Sequence, residues 1–239
     1  ADSLEGQEEL AAAMEIEPAD RLIVAGGTGP GEEKILLDVF ARLRVDGKHP
    51  DARLAIVPRK PERFNEVAKL ITDSGLSVIR RSRQADGSPP AGAKDAIILG
   101  DTMGELRKFY VLASCVFVGR SFVPMGGSDM IEAAALGKPT AFGPHTFNFP
   151  QADELAASGC VRVAGPDELV DTLDKWLTDP SAAGQAGKEA QQHVLGQQGA
   201  TRRNVEMICG VLNRTPALTP GGIATDIIRD QDSASAKSE

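Results

Sequence analysis

Short apolar runs alternate along this chain with longer stretches in which apolar residues recur at helical spacing. The short runs predict buried strands, and the longer stretches predict amphipathic helices. Strands that alternate with helices over short connections are typical of a parallel sheet covered on both faces. We therefore expect an α/β fold built on a doubly wound, Rossmann-like parallel sheet.

The predicted strands and helices cover most of the first 212 residues. The predicted strands are 21–25, 53–57, 76–79, 95–99, 116–119, 139–142 and 160–163. The predicted helices are 7–16, 32–43, 62–74, 102–113, 130–136, 151–158, 166–177 and 182–212. The polar residues 1–20 are interpreted as a lead-in or interdomain linker, 21–213 as one domain, and the aperiodic 214–239 as a flexible tail.

The composition restricts the classes of function. A formal charge of −8 argues against non-specific binding of nucleic acid, which needs a basic surface. The three cysteines fit no disulfide framework or zinc spacing, so reduced thiols and a cytoplasmic location are expected. No apolar run approaches the roughly 18 residues of a membrane span. The three histidines do not form a metal-ligand set, and we expect no metal or cofactor.

Among those histidines, only His145 is expected near a ligand edge. His49, beside a proline in a turn, is expected to be solvated, and His193 lies on a polar helix.

Four loops follow predicted strands, and ligands of such sheets bind at the carboxyl ends of the strands, near the topological switch point. The loop 26–33 is glycine-rich and resembles a phosphate loop, but it lacks the lysine of one; an ordinary helix start is the alternative. In the loop 58–63, Arg59 is placed to grip a phosphate in fork geometry, unless the turn is simply solvated.

The other two loops combine helix caps with unusual glycines. Thr102 and Glu105 fit a capping box, which does not explain Gly104; a ligand close to the backbone would, with Met103 against its base or ribose. The glycine pair at 126–127 before a helix predicts unpaired N–H groups for an anion, and Glu132 could accept from a ligand hydroxyl. Together the loops predict a nucleotide or nucleotide-sugar site.

Several motifs now carry a resemblance to a known family. They are GDTMGEL at 100–106, PRKPERF at 58–64, GEE at 31–33, the glycine pair at 126–127 through Glu132, and GPH at 143–145 with Asn148 and Phe149. Their order and spacing resemble 3-deoxy-D-manno-octulosonic acid (Kdo) transferases, two-domain glycosyltransferases of lipopolysaccharide synthesis. The resemblance covers about residues 20–205 and only the carboxyl-terminal, donor-binding half of such enzymes.

The resemblance implies one half of a GT-B type, inverting glycosyltransferase that transfers Kdo from CMP-Kdo to a lipid A precursor at the cytoplasmic face of the inner membrane. It implies a donor site at the family's motif positions and no catalytic residue in this chain, since base and acceptor site belong to an amino-terminal domain. The implied donor-binding residues are Pro58, Arg59, Met103, Gly104, Glu105, Gly127, Ser128, Asp129, Met130, Ile131 and Glu132.

The sequence departs from the family pattern at one point of that site. Ser128 and Asp129 stand where the family has His-Asn, so a carboxylate replaces a neutral amide near an anionic donor. Two alternatives therefore stay open. One is the donor half of another nucleotide-sugar enzyme, and the other is a non-catalytic nucleotide-binding module.

Overall fold

The computed structural model describes residues 4–45, 48–84, 87–197 and 207–209. Its described residues contain one seven-stranded sheet. The strands are β1 (Arg21–Thr28), β2 (Ala52–Pro58), β3 (Val78–Arg80), β4 (Ile97–Leu99), β5 (Cys115–Val118), β6 (Thr140–Phe142) and β7 (Val161–Arg162). The helices are α1 (Gln7–Ala13), α2 (Glu32–Arg44), α3 (Phe64–Asp73), α4 (Leu106–Leu112), α5 (Ile131–Ala135), α6 (Ala152–Ala156), α7 (Pro166–Thr178) and α8 (Pro180–Gln197).

All strand pairs of this sheet are parallel, and the strand order is β3-β4-β2-β1-β5-β6-β7. The chain first builds outward from β1 through β2, then crosses back and continues from β5 on the other side. The order therefore reverses between β1 and β5, where the loops that follow these strands diverge and open a crevice. The predicted doubly wound parallel sheet is confirmed.

The two faces of the sheet carry separate cores because successive side chains of a strand point to opposite faces. In β1, Leu22 and Val24 pack with α1, α4, α5 and α6. Ile23 and Ala25 pack with α2, α3 and α7 on the other face. Both cores are built mainly from aliphatic side chains, as the composition indicates.

The first strand is longer than predicted. It continues through Gly26 to Thr28, pairing there with β2, while Gly26 also pairs with β5. A central strand has neighbours on both sides, and this pairing continues β1 through Gly26, while Gly27, with φ +67°, lies at a β-bulge before Thr28. The first three residues of the predicted glycine-rich loop 26–33 therefore belong to β1.

The amino-terminal helix α1 packs against the domain. Leu10, Ala13 and Met14 are fully buried. The Arg53 guanidinium, itself buried, donates to the carbonyl oxygens of Met14 and Glu15 and ties this segment to β2. The linker role proposed for residues 1–20 stays a prediction, but α1 belongs to the packed domain.

The helix predicted near the carboxyl-terminal end is shorter in the structure, and part of the predictions for that end cannot be compared with it. The helix predicted over 182–212 is observed as α8, which ends at Gln197, and residues 207–209 form a helical turn. The chain divides into two units at Gly196. The remainder of that predicted helix and the predicted tail at 214–239 lie outside the described residues.

The expectation that His49 is solvated is wrong. Its ring is 3% exposed; Nε2 lies 2.8 Å from Asp174 Oδ1, and Nδ1 lies 3.3 Å from the Arg21 guanidinium. The segment before β2 folds against α7, which buries the ring. His193, on α8, lies 3.5 Å from the Glu154 carboxylate.

Candidate functional site

A cavity of about 300 Å³ opens at the carboxyl edge of the sheet, beside the reversal of strand order. The ends of β1 and β2, the loop between β4 and α4, and the first turn of α5 form its walls. Its lining residues are Gly27, Val57, Pro58, Arg59, Thr102, Met103, Gly104, Leu106, Arg107 and Glu132. We call this cavity the donor cavity.

The structure brings five of the predicted site residues together in the donor cavity. Pro58 and Arg59 end β2, Met103 and Gly104 come from the turn before α4, and Glu132 comes from α5. These residues lie up to 74 positions apart in sequence, and parallel strands place the loops that follow them at one edge. Arg59 is exposed and forms no ion pair with any described residue, so its guanidinium is available to an anion.

Charge is unevenly distributed in the donor cavity. Burial raises the pKa of Glu132, and the nearby Asp129 carboxylate raises it further, while Arg107 and Arg59 oppose this shift. No hydrogen bond or ion pair joins Glu132 to another described residue. A half-buried carboxylate without a partner, flanked by two arginines, is suited to accept from hydroxyl groups of a ligand whose phosphate lies on the arginines.

The turn before α4 is held by contacts and a backbone conformation that differ from the predicted capping box. Helix α4 begins at Leu106 rather than at residue 102, and the Thr102 hydroxyl donates to the Glu105 carboxylate instead of capping the helix backbone. Gly104 has φ +81°, a conformation that strongly favours glycine. Backbone geometry therefore explains Gly104 without a ligand. Met103 is 69% exposed and forms an apolar wall of the cavity.

Glu105 is not among the residues that line the donor cavity, and its contacts hold its turn together. Its carboxylate lies 3.2 Å from Arg81 Nε and 3.5 Å from Lys108 Nζ. Burial opposes ionisation, but the hydrogen bond from Thr102 and the charge of Arg81 hold the pKa of Glu105 below its usual value. A direct contact of Glu105 with the donor stays a prediction; the contacts present support the position of Met103 and Gly104.

The loop before α5 uses part of the backbone amides that its glycines predict to be free. Gly127 has φ +87°, and its N–H donates to the Arg120 carbonyl at 2.8 Å. The Asp129 carboxylate accepts from the Ile131 N–H at 2.9 Å, as a helix-capping side chain does. Two of the amides expected to bind an anion are therefore used within the loop.

Three other predicted residues of this loop lie outside the donor cavity lining. Ser128 is buried and donates its hydroxyl to the Gly27 carbonyl at 2.8 Å, which joins this loop to the end of β1. Met130 is fully buried in the core, and Ile131 packs at the edge of that core. Their contact with a donor stays a prediction.

The glycine-rich loop after β1 is occupied by a carboxylate of the chain itself. Glu32, fully buried at the start of α2, accepts from the backbone N–H groups of Gly29 at 2.9 Å and of Ser121 and Phe122 at 2.8 Å each. It also accepts from the N–H of Arg120. These amides would suit a phosphate, but Glu32 already satisfies them. Because Glu32 occupies the Gly29 amide of this loop, the structure favours the helix-start alternative over a phosphate loop.

The neighbouring Glu33 fixes the loop after β2. Its carboxylate pairs with the Arg63 guanidinium at 2.5 and 3.1 Å and accepts from the Thr28 hydroxyl at 2.8 Å. Both glutamates are completely buried. The acidic pair at the start of α2 thus holds the loops around β1, β2 and β5 in place, and Arg59 projects from a braced turn.

A second cavity, of about 200 Å³, adjoins the donor cavity. Arg59 lines both cavities, and the second is also lined by Gly29, Lys60, Arg63 and Arg120. We call it the side cavity. It lies between the ends of β1 and β2 and the loop after β5.

Sequence reasoning missed two charged residues of this edge. Arg107, exposed in the first turn of α4, lies one residue beyond the motif that drew attention to the turn. Arg120 follows β5 with only Gly119 between them, a signal similar to the one that marked Arg59 after β2. His145 is in the lining of neither cavity.

No group of three or more histidine, cysteine, aspartate or glutamate side chains in the described part of the chain is arranged to hold a metal ion. The expectation that no metal or cofactor takes part remains a prediction. Among the residues that the structure describes, no helix has the length and apolar character needed to cross a membrane.

No family model matches the chain. Over 190 residues it is 33% identical to the 3-deoxy-D-manno-octulosonic acid transferase of Bordetella pertussis, an alignment that covers 78% of this chain and 44% of that protein. The Haemophilus influenzae protein of the same description is 32% identical over 194 residues, again 44% of its length. The chain therefore spans less than half the length of these curated relatives.

A solved domain matches most of the chain and is itself covered almost completely. It is the C-terminal CMP-Kdo binding domain of WaaA from Acinetobacter baumannii, with a TM-score of 0.68 and 28% identity; the match covers 78% of this chain and 98% of that domain. Glycosyltransferases with lower identity share the fold alone, such as one from Rickettsia africae with a TM-score of 0.60 and 17% identity. The chain has the Rossmann-like fold of one half of a GT-B glycosyltransferase, and it is a relative of the 3-deoxy-D-manno-octulosonic acid transferases.

Proposed function

We propose that this chain is the donor-binding half of a Kdo transferase and that it binds CMP-Kdo in the donor cavity. The observation that carries the proposal is the meeting of Arg59, Met103 and Glu132 in one cavity at the carboxyl edge. The match to a CMP-Kdo binding domain over 98% of that domain supports the same ligand.

Each of these residues has a role that its chemistry suits. The Arg59 guanidinium binds the phosphate of the donor through paired N–H groups. Met103 packs its exposed thioether side chain against the base or ribose. The Glu132 carboxylate, which has no partner among the described residues, accepts from the ribose hydroxyls.

In the complete enzyme, this half would hold the leaving nucleotide while a second domain supplies the acceptor. A base in that domain would deprotonate a hydroxyl of a lipid A precursor, and the oxygen would attack the anomeric carbon of Kdo with inversion. The bond from that carbon to the phosphate would break, with CMP leaving on Arg59, which stabilises the developing negative charge. The cytoplasmic face of the inner membrane is the proposed location.

Calorimetric titration with CMP and UMP tests the donor site. We expect the chain to bind CMP in preference to UMP, and the Arg59→Ala variant to bind CMP at least about tenfold more weakly because a charge-assisted phosphate contact is lost. Arg83→Ala is the matched control, since Arg83 is exposed and lines neither cavity.

Equal CMP binding by the Arg59→Ala variant and the unchanged chain would contradict the site. Preference for UMP would point to another nucleotide-sugar enzyme. Absence of binding to either nucleotide would contradict the proposed function as a whole.

A further inference from the structure

Arg120 has a backbone conformation that arginine rarely adopts. Its φ is +58°, in the left-handed region, which costs a side-chain-bearing residue about 1 kcal/mol. The conformation is fixed from both sides, because the Arg120 N–H donates to the buried Glu32 carboxylate and its carbonyl accepts from Gly127. The backbone contacts therefore fix the direction in which the Arg120 side chain leaves the loop after β5.

The Arg120 side chain forms part of the wall of the side cavity. It passes over Gly29: a Cβ atom at that glycine would lie 3.0 Å from Arg120 Cγ. The terminal NH2 group donates only to the Met125 carbonyl, at 3.3 Å, and the buried Nε has no hydrogen-bond partner. Most of the hydrogen-bonding capacity of this guanidinium is unused within the described chain.

The other cations of the side cavity are already paired, with the exception of Arg59. Arg63 pairs with Glu33 and Glu66, and Lys60 lies 3.6 Å from Glu62. Neither Arg59 nor Arg120 forms an ion pair with any residue that the structure describes. The side cavity thus offers two guanidinium groups, one shared with the donor cavity and one at its far wall.

A nucleotide-activated ulosonic acid carries two anionic groups close together, because its anomeric carbon bears both the phosphate ester and the carboxylate. If the phosphate lies on Arg59, the sugar acid continues beyond it into the adjoining space. A carboxylate there meets a guanidinium that has free donors and can bind it in fork geometry.

We propose that Arg120 binds the carboxylate of the donor's sugar acid and so selects an ulosonic-acid donor over a neutral sugar donor. This inference rests on the proposed function and adds to it a second anion contact, in the side cavity. Arg120 is a specificity-determining residue in this proposal, and Arg59 remains the phosphate contact.

The test compares CMP with CMP-Kdo on the Arg120→Gly variant by calorimetric titration. Glycine suits the variant because it adopts φ +58° without strain. We expect the affinity for CMP-Kdo to fall about tenfold, while the affinity for CMP, which has no carboxylate, changes less than about twofold. Arg120→Lys should recover part of the loss, and Arg83→Gly, which removes an exposed guanidinium elsewhere, should change neither affinity.

The outcomes separate this inference from the proposed function. Equal losses for CMP and CMP-Kdo would overturn it, because Arg120 would then act on the phosphate or on the loop. Unchanged affinities for both would overturn it as well, while leaving the donor site intact. If the unchanged chain binds neither compound, the proposed function fails first and this inference with it.

Discussion

At the scale of single residues, the fully buried Glu32 shows how one side chain changes the meaning of a motif. A glycine-rich turn at a helix start suggests a phosphate site, yet this carboxylate accepts from four backbone N–H groups of two loops. The chain supplies its own anion where a ligand was expected. Binding chemistry then depends on side chains such as Arg59, which project beyond that satisfied loop.

Gly26 is required by a close approach rather than by its backbone angles. A Cβ atom there would lie 2.2 Å from the Tyr110 hydroxyl oxygen and 2.5 Å from the ring. We expect Gly26→Ala to lower the free energy of unfolding by about 2 kcal/mol or more, since the packed ring has no room to shift. Denaturant unfolding measures this change.

Gly184 provides the matched control for that substitution. A Cβ atom at this position in α8 would meet nothing within 4 Å. Gly184→Ala should therefore leave stability unchanged or raise it, by up to about 1 kcal/mol, through helix propensity. Truncation of Tyr110 to leucine should reduce the cost of Gly26→Ala; additive losses in the double variant would contradict the steric explanation.

Glu132 is expected to lower the stability of the unliganded chain at neutral pH. Burial, with Asp129 close by, raises its pKa in the folded state above the ordinary 4.5, so ionisation is less favourable there than in the unfolded chain. The contribution of protonated Glu132 to the free energy of unfolding is fully present below pH 4.5. It is lost as the pH rises through the pKa that Glu132 has in the folded state. Glu132→Gln should raise the melting temperature at pH 7, with the gain disappearing below about pH 4.

The same substitution should weaken CMP binding, because an amide accepts ribose hydroxyls less well than a carboxylate. Asp38→Asn, at an exposed position of α2, is the control and should alter neither property. A melting temperature difference that is the same at both pH values would refute the burial argument. The Glu132 carboxylate would then not lower the stability of the folded chain in exchange for CMP binding.

At the scale of elements, α1 shows that a polar segment can belong to a core. Only one narrow stripe of this helix is apolar, but Leu10 and Met14 are completely buried against the sheet face that also carries α4. A parallel sheet is buried on both faces and needs helices packed on each of them. This helix supplies part of that coverage before the first strand.

Truncation of Leu10 measures this role of α1. We expect Leu10→Ala to lower the free energy of unfolding by about 2–4 kcal/mol, the usual cost of a buried cavity. Leu195→Ala is the control, since Leu195 in α8 is 48% exposed and should cost less than about 0.5 kcal/mol. Similar small effects at both leucines would mean that α1 is a detachable lead-in.

The elements at the site are shorter than their sequence patterns. Helix α5 has five residues, and α4 begins four residues after the capping motif at Thr102. The intervening residues take conformations such as the positive φ of Gly104, which turn them toward the donor cavity. Helix propensity could not predict these boundaries, because contacts between loops decide them.

At the scale of the whole molecule, a chain with a formal charge of −8 collects positive charge at one edge of its sheet. Arg59 follows β2, Arg107 lies in the first turn of α4 and Arg120 lies in the loop after β5, and the three meet around two adjoining cavities. Among the described residues, none of the three pairs with a carboxylate. That the chain has no general affinity for nucleic acid stays a prediction from its net charge, while the local charge suits one small anionic donor.

The sequence by itself determined the doubly wound sheet, because strand and helix periods alternate with short connections. It also indicated Arg59, Met103 and Glu132, since residues after buried strands reach the carboxyl edge of a parallel sheet. Only the tertiary structure decided that Glu32 fills its own glycine loop and that Arg120 joins Arg59 around a second cavity. The Glu32 contacts with the loop after β5 and the meeting of Arg59 with Arg120 join residues about 60 to 90 positions apart, which no local pattern encodes.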